Sequence, residues 1–261
     1  MVKKTLKLLL SKLNQSRFVH KLKHFKYWRL VFAAFAIFIL FGGYFGYSYL
    51  KQKQFTDDYN AMNSKYKEAL YATGSAPKTS LAKVSAYNDA FTIFFNKYRD
   101  NPPKDFAKDM SFSGDMEAIA LLSENALFYT QESEYSLAHA ELESIRQVWQ
   151  LLFKRNDVGM MSYYMTDFHD AMESVISLAD IKDAAGVSEL CPSLTEKWAA
   201  IKNMEVSFSV DKLIDFKNQV SAEEINVRNL CSAAESKNIE KLPYLAAKMK
   251  SGFISAYLRY G

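Results

Sequence analysis

Leu30-Val-Phe-Ala-Ala-Phe-Ala-Ile-Phe-Ile-Leu-Phe-Gly-Gly-Tyr-Phe-Gly-Tyr-Ser-Tyr-Leu50 is a run of 21 residues without a charge. A helix rises about 1.5 Å per residue, so this run reaches roughly 30 Å, the depth of a bilayer's hydrocarbon core. It reads as one membrane-spanning helix and divides the chain into a basic arm (1–29), the span (30–50) and a larger C-terminal domain (51–261). Its Gly42-x-x-x-Gly46 spacing exposes backbone along one helix face, the pattern through which spans self-associate. A homodimer through the span is therefore an expectation.

Charge sets the orientation. The arm holds nine of the 33 basic residues and no acid, whereas residues beyond the span hold all 29 acids. By the positive-inside rule the arm is cytoplasmic and the domain translocated, periplasmic if the membrane is a bacterial inner membrane. Tyr27 and Trp28 on one side and Tyr44, Tyr47 and Tyr49 on the other suit the two interfaces. A cleavable signal peptide would have a shorter apolar core followed by small residues, so the run reads as an uncleaved signal anchor. Within the arm, Leu6, Leu9, Leu10 and Leu13 share a helical face while the lysines fall largely elsewhere, which suits the surface of an anionic leaflet. No nucleic-acid-binding motif accompanies these basic residues. The bilayer is the partner they imply.

Beyond the span, apolar residues recur at intervals of three and four. Phe91, Phe94, Phe95 and Tyr98 form one set, and Leu142, Ile145, Trp149, Leu152 and Phe153 another. The domain is therefore predicted to be all-α. Thr73-Gly74-Ser75-Ala76-Pro77 and Asp100-Asn101-Pro102-Pro103 read as breaks, with a possible subdivision near 100–112. The predicted helices are about 51–72, 114–131, 133–154, 158–180, 188–203, 222–236 and 239–259. Short connections make them antiparallel hairpins, stacked as a bundle or a solenoid-like array.

Motifs of catalysis are missing from the sequence: it has no phosphate-binding glycine loop, no Gly-x-Ser-x-Gly elbow and no His-Glu-x-x-His. Neighbouring acids such as Glu141 and Glu143, or Glu223 and Glu224, read as solvated helix faces. One cluster lies in the 133–180 hairpin, where Met160, Met161, Met165, His169 and Met172 follow His139 and Glu143. His169 and Met172, three apart on a helix, with Glu143 opposite, are the candidate ligands for a metal or haem iron. The competing reading has each histidine paired with a carboxylate across the hairpin and the methionines filling the core. That reading needs no cofactor.

The two cysteines, Cys191 and Cys231, both fall in the translocated part, where an isolated pair reads as a disulfide. Ser221 and Glu224 fit a capping box, which starts a helix near 222 and brings the cysteines level. A helix starting near Asp211 instead misaligns them by roughly 12 Å and favours two buried thiols. The functional expectation is a non-enzymatic, membrane-anchored scaffold or adaptor that binds other envelope proteins. A metal- or haem-binding bundle and a ligand-binding input domain acting through a partner subunit are the alternatives.

Overall fold

The computed structural model describes the backbone of residues 28–206 and 208–261, and their side chains except at 28–30 and 40–44. The basic arm thus lies outside the described residues, save the last two positions of its backbone. So do the side chain of Tyr44 and the Gly42 half of the Gly42/Gly46 pair. All regular structure among the described residues is helical. The α-helices are α1 (Trp28–Ser75), α2 (Pro77–Tyr98), α3 (Phe112–Gln131), α4 (Tyr135–Arg155), α5 (Met161–Asp180), α6 (Ala184–Lys202), α7 (Val210–Glu235) and α8 (Leu242–Tyr260). Short 3-10 turns at Lys104–Phe106 and Ile239–Lys241 precede α3 and α8.

The chain divides into two compact units, the second running from Phe55 to Gly261. In the first, the Leu30–Leu50 run is helical throughout as part of α1. Its described side chains form two runs, 31–39 and 45–50, and their large apolar members are exposed, Phe38 at 74 % and Tyr49 at 69 %. Among the described residues no helix is long and apolar enough to cross a membrane.

The second unit is a helical bundle. Each helix from α2 to α8 packs on its neighbour in the chain, and α8 also packs back on α5. The part of α1 in this unit is built into the core: the Phe55 ring meets Phe94, Tyr98 and Phe106, and Tyr59 meets Trp149 and Phe153. The apolar sets read from the sequence are buried, apart from the partly covered Phe95. Such burial contributes about 1.5–3 kcal/mol per large side chain. Phe106 is fully buried among these rings, so residues 100–112 lie inside one compact unit.

Four helix ends share a device that the sequence conceals. Ser133, Asp157, Lys182 and Lys237 have positive φ of 53–64° and follow α3, α4, α5 and α7. In each case the next residue's N–H reaches back five positions, as from Glu134 to the Tyr129 carbonyl (2.8 Å) and from Asn238 to the Ala233 carbonyl (2.8 Å). These are Schellman closures, usually made by glycine. The glycine at 74 does the opposite of what its place in a predicted break suggests. It lies within α1, where an added Cβ would stand 3.1 Å from the His139 ring, so its role is to admit that ring.

Two register expectations need correction. Helix α7 begins at Val210, not near 222, and Ser221 and Glu224 lie inside it. Glu224 pairs with Lys202 on α6 (2.8 Å). The disulfide nonetheless forms, with Cys191 and Cys231 Cα atoms 5.8 Å apart. The connection after Lys202 is not a tight turn, so the first turns of α7 run past the end of α6. Phe216 there packs on Phe208 and Tyr260, while Trp198 of α6 donates its indole N–H to the Val220 carbonyl (3.0 Å).

Candidate ligand cleft

A cavity of about 430 Å³ opens between α1, α4, α5 and α8, entirely within the second unit. Its residues come at helical spacings that put each set on one face. Helix α1 contributes Lys67, Leu70, Tyr71 and Gly74, and α4 contributes His139, Glu143 and Arg146. Helix α5 presents His169, Met172 and Glu173, and α8 presents Lys250, Phe253, Ile254, Tyr257 and Leu258.

The polar groups form three clusters. Arg146, only 7 % exposed, makes a close ion pair with Glu143 and lies 4.0 Å from Asp170, yet its buried Nε has no hydrogen-bond partner. His139 stands 3.0 Å from the Thr73 hydroxyl, which donates to the Leu70 carbonyl (3.0 Å). The Thr73–His139 bond runs through Nδ1, and Nε2 of the same ring faces Glu143 at 3.7 Å. His169 Nε2 lies 3.5 Å from Glu173, whose same oxygen accepts from Lys250 at 2.9 Å. The other ring nitrogen of His169 is buried and without a hydrogen-bond partner.

Lys67 differs from the other cations. It is 6 % exposed, and its ammonium donates to the main-chain oxygens of Tyr257 (3.2 Å) and of Gly261 (2.5 Å), the last residue of the sequence. Burial, aided by the positive field of Lys212, pushes its pKa down to about 8. A second buried group lies outside the cleft, between α7 and α8. Glu223 is 1 % exposed, accepts from Asn226 (2.7 Å) and packs where Gly252 has no side chain, and burial pushes its pKa up to about 8.

The structure brings the sequence-predicted residues His169, Met172 and Glu143 to one cleft. Glu143, however, is held by Arg146, and among the described residues no three His, Cys, Asp or Glu side chains are grouped as a metal site. The expected pairing of histidines with carboxylates across the hairpin is also corrected. Each histidine faces the acid one turn along its own helix, Glu143 or Glu173, and His139 bonds across to Thr73 of α1.

Sequence reading missed Lys67 and Arg146. The available signal was an ionisable residue beside an otherwise apolar face: Arg146 follows Leu142 and Ile145 and precedes Trp149. A comparison with known proteins finds no matching family model, curated relative or solved structure, so the account of this chain stands on its own residues.

Proposed function

We propose that this chain is a single-span membrane protein whose helical domain works by binding rather than by catalysis, taking up a ligand in the α1/α4/α5/α8 cleft. The observation that carries the reading is the cleft itself. It combines apolar walls with a few convergent polar groups, and its volume falls in the roughly 300–1,000 Å³ range of small-molecule sites. The acids in the cleft are neutralised by Arg146 and Lys250, an arrangement suited to holding a ligand in place.

The anchoring half of the proposal draws on the uncharged Leu30–Leu50 run and on the exposed apolar side chains on its helix. A helix apolar on all sides belongs in lipid or in a large protein core. With the basic arm inside the cell, the domain faces the periplasm of a bacterial inner membrane, an oxidising compartment that suits the Cys191–Cys231 bond. Alkaline carbonate treatment of membranes from expressing cells is expected to leave the full chain in the pellet. In spheroplasts, added protease is expected to digest the domain while sparing a fragment of arm and span. Release by carbonate, or a domain protected until the inner membrane is lysed, contradicts the topology.

A further inference from the structure

We infer that copies of this chain associate head to tail, the acidic outer face of α3 on one copy seating antiparallel on the basic outer face of α8 on the next. The inference does not depend on what fills the cleft. It goes beyond that reading to a second copy of the chain as a partner.

The argument begins with two helix faces that the fold leaves open. On α3, Gly114, Ala118, Leu121, Glu124 and Phe128 are all exposed, Leu121 at 59 % and Phe128 at 56 %. On α8, Tyr244, Lys248, Ser251, Ile254 and Leu258 are exposed at the same steps of four, three, three and four. Residues so spaced form one narrow seam along a helix, with apolar knobs ready to pack on another helix. Charge distinguishes the two seams. Residues 109–145 hold eight acids and no lysine or arginine, whereas residues 241–261 hold four cations and no acid. Some of these charges are engaged within the chain: Glu117 lies 4.0 Å from Arg99, Lys250 pairs with Glu173, and Arg259 pairs with Asp215. Glu124 and Lys248 make no ion pair among the described residues.

The second observation is that one register satisfies both seams. Setting Leu121 opposite Ser251 in an antiparallel pairing puts Ala118 opposite Ile254 and Gly114 opposite Leu258, so each bulky side chain faces a small one. A Cβ added at Gly114 meets nothing within 4 Å, which leaves room there for an incoming leucine. The same register sets Glu124 against Lys248 and Phe128 against Tyr244, an ion pair beside an aromatic pair. A parallel pairing about the same centre instead sets Glu124 against Ile254 and Lys248 against Ala118. Pairing α3 with α3, or α8 with α8, brings like charges together. The two seams belong to different helices, so the contact is heterologous and repeats from copy to copy as a ring or a row. A single helix-on-helix contact is small, which makes the association reversible.

The test coexpresses two differently tagged full chains, one carrying Leu121→Cys and the other Ser251→Cys, and treats intact cells with a short, membrane-permeant bis-maleimide. The native cysteines are bonded to each other, so each chain offers one free thiol. The expected result is a mixed dimer in at least about tenfold greater yield than the dimer of either variant with itself. Lys248→Glu in the Ser251→Cys chain is expected to lower the mixed product by about fivefold, and Glu124→Lys in the Leu121→Cys chain to restore it. Both positions are exposed, circular dichroism of the purified chains checks the fold, and a mono-maleimide confirms that both thiols react. Dimers of like variants in equal yield, no dimer from reactive thiols, or a Lys248→Glu loss that Glu124→Lys leaves unrepaired overturns the inference. Capture of an unrelated protein by Ser251→Cys in place of the mixed dimer assigns the α8 face to another partner and overturns it as well.

Discussion

Breaking the Cys191–Cys231 bond is expected to lower the unfolding free energy by about 4 kcal/mol. The two cysteines are 40 residues apart in sequence, and in the chain-entropy account closing a loop of that length removes about this much from the freedom of the unfolded chain. The loop encloses the second half of α6, the connection to α7 and most of α7 itself. Once opened, that hairpin depends on side-chain contacts such as Trp198 with Val220 and Phe168. Urea unfolding of the oxidised chain, the reduced chain and a Cys191→Ser/Cys231→Ser variant measures the effect. A shift below about 1 kcal/mol contradicts it. No cysteine is free in the described structure, so reduction reports on this bond alone.

Stability is expected to fall as pH rises from about 5 to about 8, and Glu223 is the cause. Burial raises the folded-state pKa of this carboxyl to about 8, from an ordinary value of 4.5. Between those values the folded chain keeps a proton that the unfolded chain has lost, so the unfolded state gains on the folded one with every unit of pH. The contribution is complete below about 4.5 and is lost by the time pH has passed 8, at most about 4–5 kcal/mol. Glu223→Gln keeps the shape and the bond from Asn226 while removing the titration. It is expected to flatten the profile and to exceed the native chain in stability at pH 8. Lys67 acts in the opposite sense above that point. Its folded pKa lies below the unfolded one, so stability recovers as pH rises beyond about 8 and the buried charge is discharged. A native profile flat from pH 5 to 8, unchanged by Glu223→Gln, contradicts the burial of a protonated carboxyl.

The helical class was legible because α2 and α4 carry their apolar residues at intervals of three and four, and those residues are the core. The disulfide was legible from the count of two cysteines, read with the expectation of an oxidising compartment. Helix ends were less so, because Ser133, Asp157, Lys182 and Lys237 occupy a backbone region associated with glycine, and no local signal marks them. Asp183 caps α6 by accepting from the Gly186 N–H (2.9 Å), which starts that helix four residues earlier than predicted. The capping-box pattern at Ser221 and Glu224 was misleading, since the same pair of residue types serves equally well on an exposed helix face.

The cleft was legible in part. His139, Glu143, His169 and Met172 drew attention by residue type, and they do line one cavity. The decisive groups did not draw it. Lys67 has the same sequence appearance as any lysine of an exposed helix face, and its burial follows from how α8 packs on α1. Tyr257 and Gly261, whose main-chain oxygens hold it, lie 190 and 194 residues away. Contacts at that separation leave no periodicity to read.

The most direct measurement is the titration of Lys67 in the full chain carrying ¹³Cε-labelled lysine, followed by NMR. A Lys67 ammonium buried on the cleft between α1 and α8 gives one lysine signal with a midpoint near 8, absent in Lys67→Met. Lysines that all titrate near their ordinary value contradict the cleft as described.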